Sequence, residues 1–227
     1  MAGVAQHSDF RVDFWGRLRR TSDFLFSVIY SPTDEVEQAA AVVRAVHTRI
    51  TGVDDFTGEP YRADEPELLV WVANATVDSY LAAFRLYGNS RLTPEDADRY
   101  VYEMRTLGHL MGVDKSDLAQ DATELHRYMH DMLPRLAASP AAKEGTRRLV
   151  LPDLPWKLRP LWTVPASAAV ASLPSEYRNM YGLPWLGPLQ PGIRISTTAY
   201  LQGLRLILPE HPAVVEARNR ARRLAVA

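Results

Sequence analysis

The sequence predicts a single all-α domain, a bundle of about eight to ten helices. Three observations predict it. Apolar residues recur at steps of three and four along most of the chain, as they do on one face of a helix. Helix-start signals recur at intervals: Ser31-Pro32-Thr33-Asp34-Glu35, Thr93-Pro94-Glu95-Asp96 and Asp121-Ala122-Thr123-Glu124. No segment alternates apolar and polar residues long enough to make a convincing strand, and no repeat period is visible.

From Asp13 the spacing becomes helical. Phe14, Leu18, Thr21, Leu25 and Val28 share one face of a helix that runs to Tyr30, with Arg17 and Arg20 beside Thr21. A second helix follows, with Ser31 as cap, Pro32 in the first turn and two acids on the N-terminal dipole. Its stripe is Val36, Ala40, Val43, His47 and Ile50, and Thr51-Gly52 should end it. Residues 53–62 read as a loop. Asp64-Glu65-Pro66-Glu67 has the spacing of a capping box and opens a helix to about Tyr87. That helix is apolar on most sides, which is the pattern of a central element.

The next helix carries Tyr100, Met104, Leu107 and Met111 on one stripe and stops at Gly112. After Asp121, Leu125, Tyr128, Met129, Met132 and Leu136 point inward, and Ser139-Pro140 begins a shorter helix to about Leu149. Proline then becomes frequent, which limits the chain to short helices near 157–171 and 174–182. Two last helices cover about 192–207 and 210–224. The basic residues Arg218, Arg220, Arg222 and Arg223 suit the C-terminal end of the final helix and read as structural or solvated.

Composition narrows the function. The 227 residues suffice for one sizeable domain, and 47% apolar with 23% charged residues is ordinary for a globular protein. The formal net charge of −1 gives no reason to expect nucleic acid as a partner. There is no cysteine, so disulfides, thiolate metal sites, Fe–S clusters and a cysteine nucleophile are excluded. No apolar run reaches the roughly 18–20 residues of a membrane span, and Met1 to Ser8 lacks the pattern of an export signal. The expected location is cytoplasmic.

Phosphate-binding glycine loops, the zinc-protease His-Glu-x-x-His and the Gly-x-Ser-x-Gly elbow are all missing. His126 and His130 share a helix face and could begin a divalent-metal site, but no third ligand is placed. His109 falls at a helix edge, and His211 reads as a cap or turn residue. His47 stands apart because its neighbours along the stripe are apolar, so its ring should be buried. Two readings follow. One is a core histidine bonded to a backbone carbonyl. The other is an axial ligand to haem iron, with Arg44 and Arg17 serving the propionates by charge-assisted bonds.

An ordered set of short motifs then resembles the MpaB-type oxygenases and latex-clearing proteins (rubber oxygenases). It comprises Gly3-Val4-Ala5-Gln6-His7-Ser8, Arg17-x-x-Arg20-Thr21, Arg44-x-x-His47 followed by Gly52, and Gly58-x-x-Tyr61-x-Ala63. It continues with Pro66-Glu67-Leu68-Leu69-x-Trp71-Val72, Tyr87-Gly88, Leu92-x-x-Glu95 and Leu110-x-Gly112-Val113. Fainter echoes are Leu173-Pro174 and Arg178-x-x-Tyr181-Gly182-Leu183, and residues 190–227 carry the least resemblance.

The resemblance implies a globin-like helical fold holding one haem b, with His47 as the proximal iron ligand and Arg44 beside it. Arg17, Arg20 and Thr21 then correspond to the polar residues of the distal side. Where latex-clearing proteins carry a lysine before that threonine, this chain has Arg20, which has no lone pair to offer iron and would instead hydrogen-bond bound dioxygen. The implied reaction partners are dioxygen or peroxide and a small apolar substrate.

Three differences from the family stand out. Ala73 follows Trp71-Val72 where the family usually has histidine, the helix that usually precedes Gly3-Val4 is not in this sequence, and no export signal accompanies it. A missing helix would leave apolar surface for a partner chain, such as a second copy, to cover. The alternative to an enzyme is a non-catalytic helical protein that keeps the fold and has lost haem or activity.

Overall fold

The chain folds as an all-α bundle with one very small hairpin; the computed structural model describes residues 13–54 and 56–226. The motif at residues 3–8 lies outside the described residues. Ten α-helices are present among those described. They are α1 (Phe14–Tyr30), α2 (Thr33–His47), α3 (Pro66–Tyr87), α4 (Pro94–Leu110) and α5 (Ala122–Met132). Then come α6 (Pro140–Val150), α7 (Arg159–Ser172), α8 (Ser175–Tyr181), α9 (Gln190–Ile207) and α10 (Pro212–Val226). None of them is long and apolar enough to cross a membrane.

Side-chain caps start four of the ten described helices. Asp13 caps α1 by accepting from the Gly16 amide at 2.9 Å. At α4 the Thr93 hydroxyl accepts from the Asp96 amide at 3.1 Å, while the Asp96 carboxylate accepts from the Thr93 amide at 3.2 Å. Asp121 caps α5 through the Glu124 amide at 2.8 Å. Ser139 caps α6 through the Ala142 amide at 3.2 Å.

Three expected boundaries differ. Ser31 is not the cap of α2: its amide closes α1 on the Ser27 carbonyl at 2.9 Å, and Pro32 takes the cap position. The link is too short for Ser31 to serve both helices. The helix α2 stops at His47, before Thr51-Gly52, because Thr51–Val53 (β1) pairs antiparallel with Pro60–Arg62 (β2). Gly58, at φ +76°, makes the turn possible. The Asp64 capping box does not form either. The Asp64 carboxylate is gripped by Arg62 at 2.8 and 3.0 Å, and Glu65 becomes the cap residue of α3.

The helix α3 is central, packing against α4, α5, α7 and α9. The main core cluster joins Val77 and Leu81 of α3 with Ala97 and Val101 of α4 and Leu125 and Met129 of α5. Beside it, Ala73 lies with Val113 and Leu118. The helix α4 passes close here because Gly108 has no side chain: a Cβ on it would sit 2.6 Å from Leu118 and 3.2 Å from Ala73. There is thus little space for a larger side chain at Ala73.

The C-terminal helices brace this core. Tyr87 donates to the Ala168 carbonyl of α7 at 2.9 Å, and α9 packs on α7 and α3. The helix α10 returns to α1, where Arg220 donates to the Tyr30 carbonyl and His211 stacks on Phe26 with centroids 4.6 Å apart. The His211 ring nitrogen also accepts from the Ala213 amide at 3.3 Å, as expected of a turn residue. Arg218 pairs with Glu210 at 2.5 Å, so the basic end is structural where it is paired. Leu206 and Ile207 on α9 are almost fully exposed.

Candidate functional site

The helix α2 buries the stripe that its periodicity predicts. Val36 and Ala40 are buried, Val43 and His47 are half-buried, and Val42 and Val46 on the other face are exposed. The His47 ring lies at the end of this stripe, where the helix closes. The hairpin comes back against that end, with the Ala63 amide donating to the Ile50 carbonyl at 2.9 Å.

His47 Nδ1 is buried and has no hydrogen-bond partner among the described residues. A core histidine held by a backbone carbonyl would be satisfied, and this one is not. Burial pushes its pKa below the ordinary value, and the charge of Asp64 opposes that in part. A neutral imidazole with a free ring nitrogen is the form that ligates iron.

Arg44 sits one turn before His47 and reaches across to α4, donating to the Leu110 carbonyl at 2.5 Å. Arg17 on α1 is half-buried, and burial first, then the charge of Arg20, pulls its pKa down. No carboxylate among the described residues pairs with it, so it is a cation suited to an anionic group.

Arg20 and Thr21 are placed differently. Arg20 is exposed and paired with Asp13 at 3.2 Å, which ties it to the helix cap. Thr21, expected on the inward stripe, is exposed, as is Leu18, while Arg17, Leu25 and Val28 are half-buried. The predicted stripe of α1 is thus kept at Leu25 and Val28 and lost at Leu18 and Thr21, on a helix that packs against α2 and α10.

Beside these residues α1, α3 and α4 enclose a cavity of about 590 Å³. Its walls include Leu25, Val28 and Ile29 of α1, Leu81 and Phe84 of α3, and Leu107 of α4. The volume is in the range of small-molecule sites, roughly 300–1,000 Å³. Arg17, Arg20, Thr21, Arg44 and His47 are not part of its lining. Arg44 approaches it through Leu110, three residues beyond Leu107 on α4.

The sequence reading missed the tyrosines of this cavity. Tyr80 of α3 and Tyr100 of α4 both line it. Burial raises the pKa of Tyr80, and burial followed by the proximity of Tyr80 pushes that of Tyr100 up to about 12. Both stand on inward-facing stripes of the sequence, but spacing cannot tell a residue that fills a core from one that borders a void. Asp64 was missed as well, since its place beside His47 depends on the hairpin.

The other histidines assemble no metal site. His126 and His130 are exposed, and no group of three or more metal-ligating side chains occurs among the described residues. His109 is at a helix edge, its Nδ1 3.3 Å from the Val113 carbonyl.

The chain was compared with known proteins. The family model described as "ER-bound oxygenase mpaB/B'/Rubber oxygenase, catalytic domain" matches residues 1–197. No curated protein and no solved structure matches the chain.

Proposed function

Since this chain belongs to the ER-bound oxygenase mpaB/B'/rubber oxygenase catalytic-domain family, we propose that it is a haem b-dependent oxygenase or oxidase acting on a small apolar substrate. The observation that carries this reading is the buried, unpartnered Nδ1 of His47, an imidazole held neutral by its surroundings.

These residues fit the cofactor. His47 would hold the iron, and Arg17 is a half-buried cation without a carboxylate partner among the described residues, suited to a propionate. Arg44 donates one guanidinium nitrogen to the Leu110 carbonyl and has further N–H donors for a second propionate. Haem, when bound, would supply activation of dioxygen or peroxide.

The chain's own contribution is position and dryness. The apolar walls of the cavity would strip water from an apolar substrate and hold it between α1, α3 and α4. Arg20 and Thr21 are the distal polar pair of this reading. To serve so, Arg20 must exchange its exposed bond to Asp13 for a bound oxygen species.

That requirement, together with Ala73 in place of histidine, favours a second reading: a family member that has lost its cofactor. One experiment decides between them. The protein is purified from haem-replete cells and its absorption spectrum recorded beside that of His47→Ala. A Soret band in the wild type that vanishes in the variant supports the haem reading. Folded wild-type protein with no haem sinks it.

A further inference from the structure

The cavity between α1, α3 and α4 has a chemical bias that narrows its ligand. Among the described residues none that lines it is Asp, Glu, Lys, Arg or His. A charged group brought into it would lose water with no counter-charge from these residues to replace it. Its polar atoms are the Ser22 hydroxyl and the phenols of Tyr30, Tyr80 and Tyr100. Tyr30 belongs to the wall that α10 braces, its backbone carbonyl accepting from Arg220 and its ring stacked on Phe26 with centroids 5.8 Å apart.

Tyr80 and Tyr100 differ from Tyr30 in coming from the two neighbouring helices α3 and α4. They lie close enough for the charge of one phenol to act on the other. Among the described residues neither hydroxyl has a hydrogen-bond partner. Two half-buried phenols elsewhere in the chain are held by the backbone: Tyr87 donates to the Ala168 carbonyl at 2.9 Å and Tyr177 to the Met129 carbonyl at 3.4 Å. Tyr80, 47% exposed at the rim, and the half-buried Tyr100 instead border an otherwise apolar cavity with hydroxyls able to donate and accept.

We propose that Tyr80 and Tyr100 are a recognition pair for one uncharged oxygen, a hydroxyl or a carbonyl, on an otherwise aliphatic ligand of this cavity. The inference rests on reading the cavity as the substrate chamber of the proposed oxidoreductase. The aliphatic body fills the space between α1 and α4, and the oxygen takes the bonds that the protein leaves open. Carboxylates and amines are rejected because nothing in the wall pairs with them.

Displacement of the neutral fluorescent probe N-phenyl-1-naphthylamine tests this, with decanol, decene and decanoate as competitors. Decanol should bind best. Tyr100→Phe and Tyr80→Phe keep the rings, and each should weaken decanol about fivefold while leaving decene unchanged. The double variant should lose the preference for decanol over decene. Decanoate binding as tightly as decanol, or decanol affinity unchanged in the double variant, overturns the proposal. So does displacement of decanol by haem, since the cofactor would then occupy the cavity. A haem-free wild type that still prefers decanol sinks the haem reading alone, and a haem-loaded protein indifferent to the two phenols sinks this inference alone.

Discussion

The cavity wall and the His47 end of α2 are two regions built on opposite principles. The wall is made from α1, α3 and α4 and carries no charge; its polar atoms are hydroxyls. The α2 end is crowded with charge: Arg44 on the Leu110 carbonyl, Arg62 on Asp64, and Asp64 acting on the His47 ring. On the function proposed above, the chain would separate two tasks between them. One region would hold an apolar molecule away from water, and the other would hold the anionic cofactor. Neither region could do the other's work, because a charge in the wall would be stranded and an apolar α2 end would offer no ligand.

The largest expected effect breaks the two regions apart. His47→Ala should abolish the Soret band while decanol still displaces the probe from the cavity; loss of both would mean that the regions are one site. Leu81→Ala attacks the wall from the core side. Leu81 is 4% exposed and belongs to both the core cluster and the cavity lining, so its truncation should cost about 2–5 kcal/mol in chemical denaturation. A cost below 1 kcal/mol would mean that the wall is already loose.

Ala73→His restores the residue that the family usually has. It should destabilise by about 1–3 kcal/mol, because the imidazole must enter the contact where α3 meets Gly108 and Leu118. A neutral or stabilising result would show that α4 can move away from α3.

The smallest effect concerns pH. Burial lowers the pKa of His47 in the folded chain, so the unfolded chain binds the proton more readily. Stability from the neutral ring is therefore present above the ordinary value of 6.5 and is lost as pH falls through it toward the folded value. Between about pH 7.5 and pH 5 the wild type should lose more stability than His47→Gln in parallel denaturation. Equal losses would put the ring in water.

Much of the fold was legible because its signals are local. Thr93 and Asp121 announce α4 and α5 within one turn of the helix they start, and the structure forms both caps. The inward stripe of α2, His47 included, followed from a period of three and four. The hairpin was not legible: strands of three residues are too short to alternate, and their pairing depends on a turn at Gly58. The burial of Arg17 rather than Thr21 on α1 was not legible either. Apolar residues surround most of the helix, so spacing does not decide which of the two is the more buried.

By itself the sequence determined the set of helices, their order and the burial of His47, since capping and periodicity act over a few residues. It also carried the family resemblance that the match over residues 1–197 bears out. Only the tertiary structure decided that His47 Nδ1 has no partner and that a cavity opens where Tyr80 meets Tyr100. The reason is physical: a missing hydrogen bond and an empty space are properties of how distant helices cross, and no short stretch of sequence contains them.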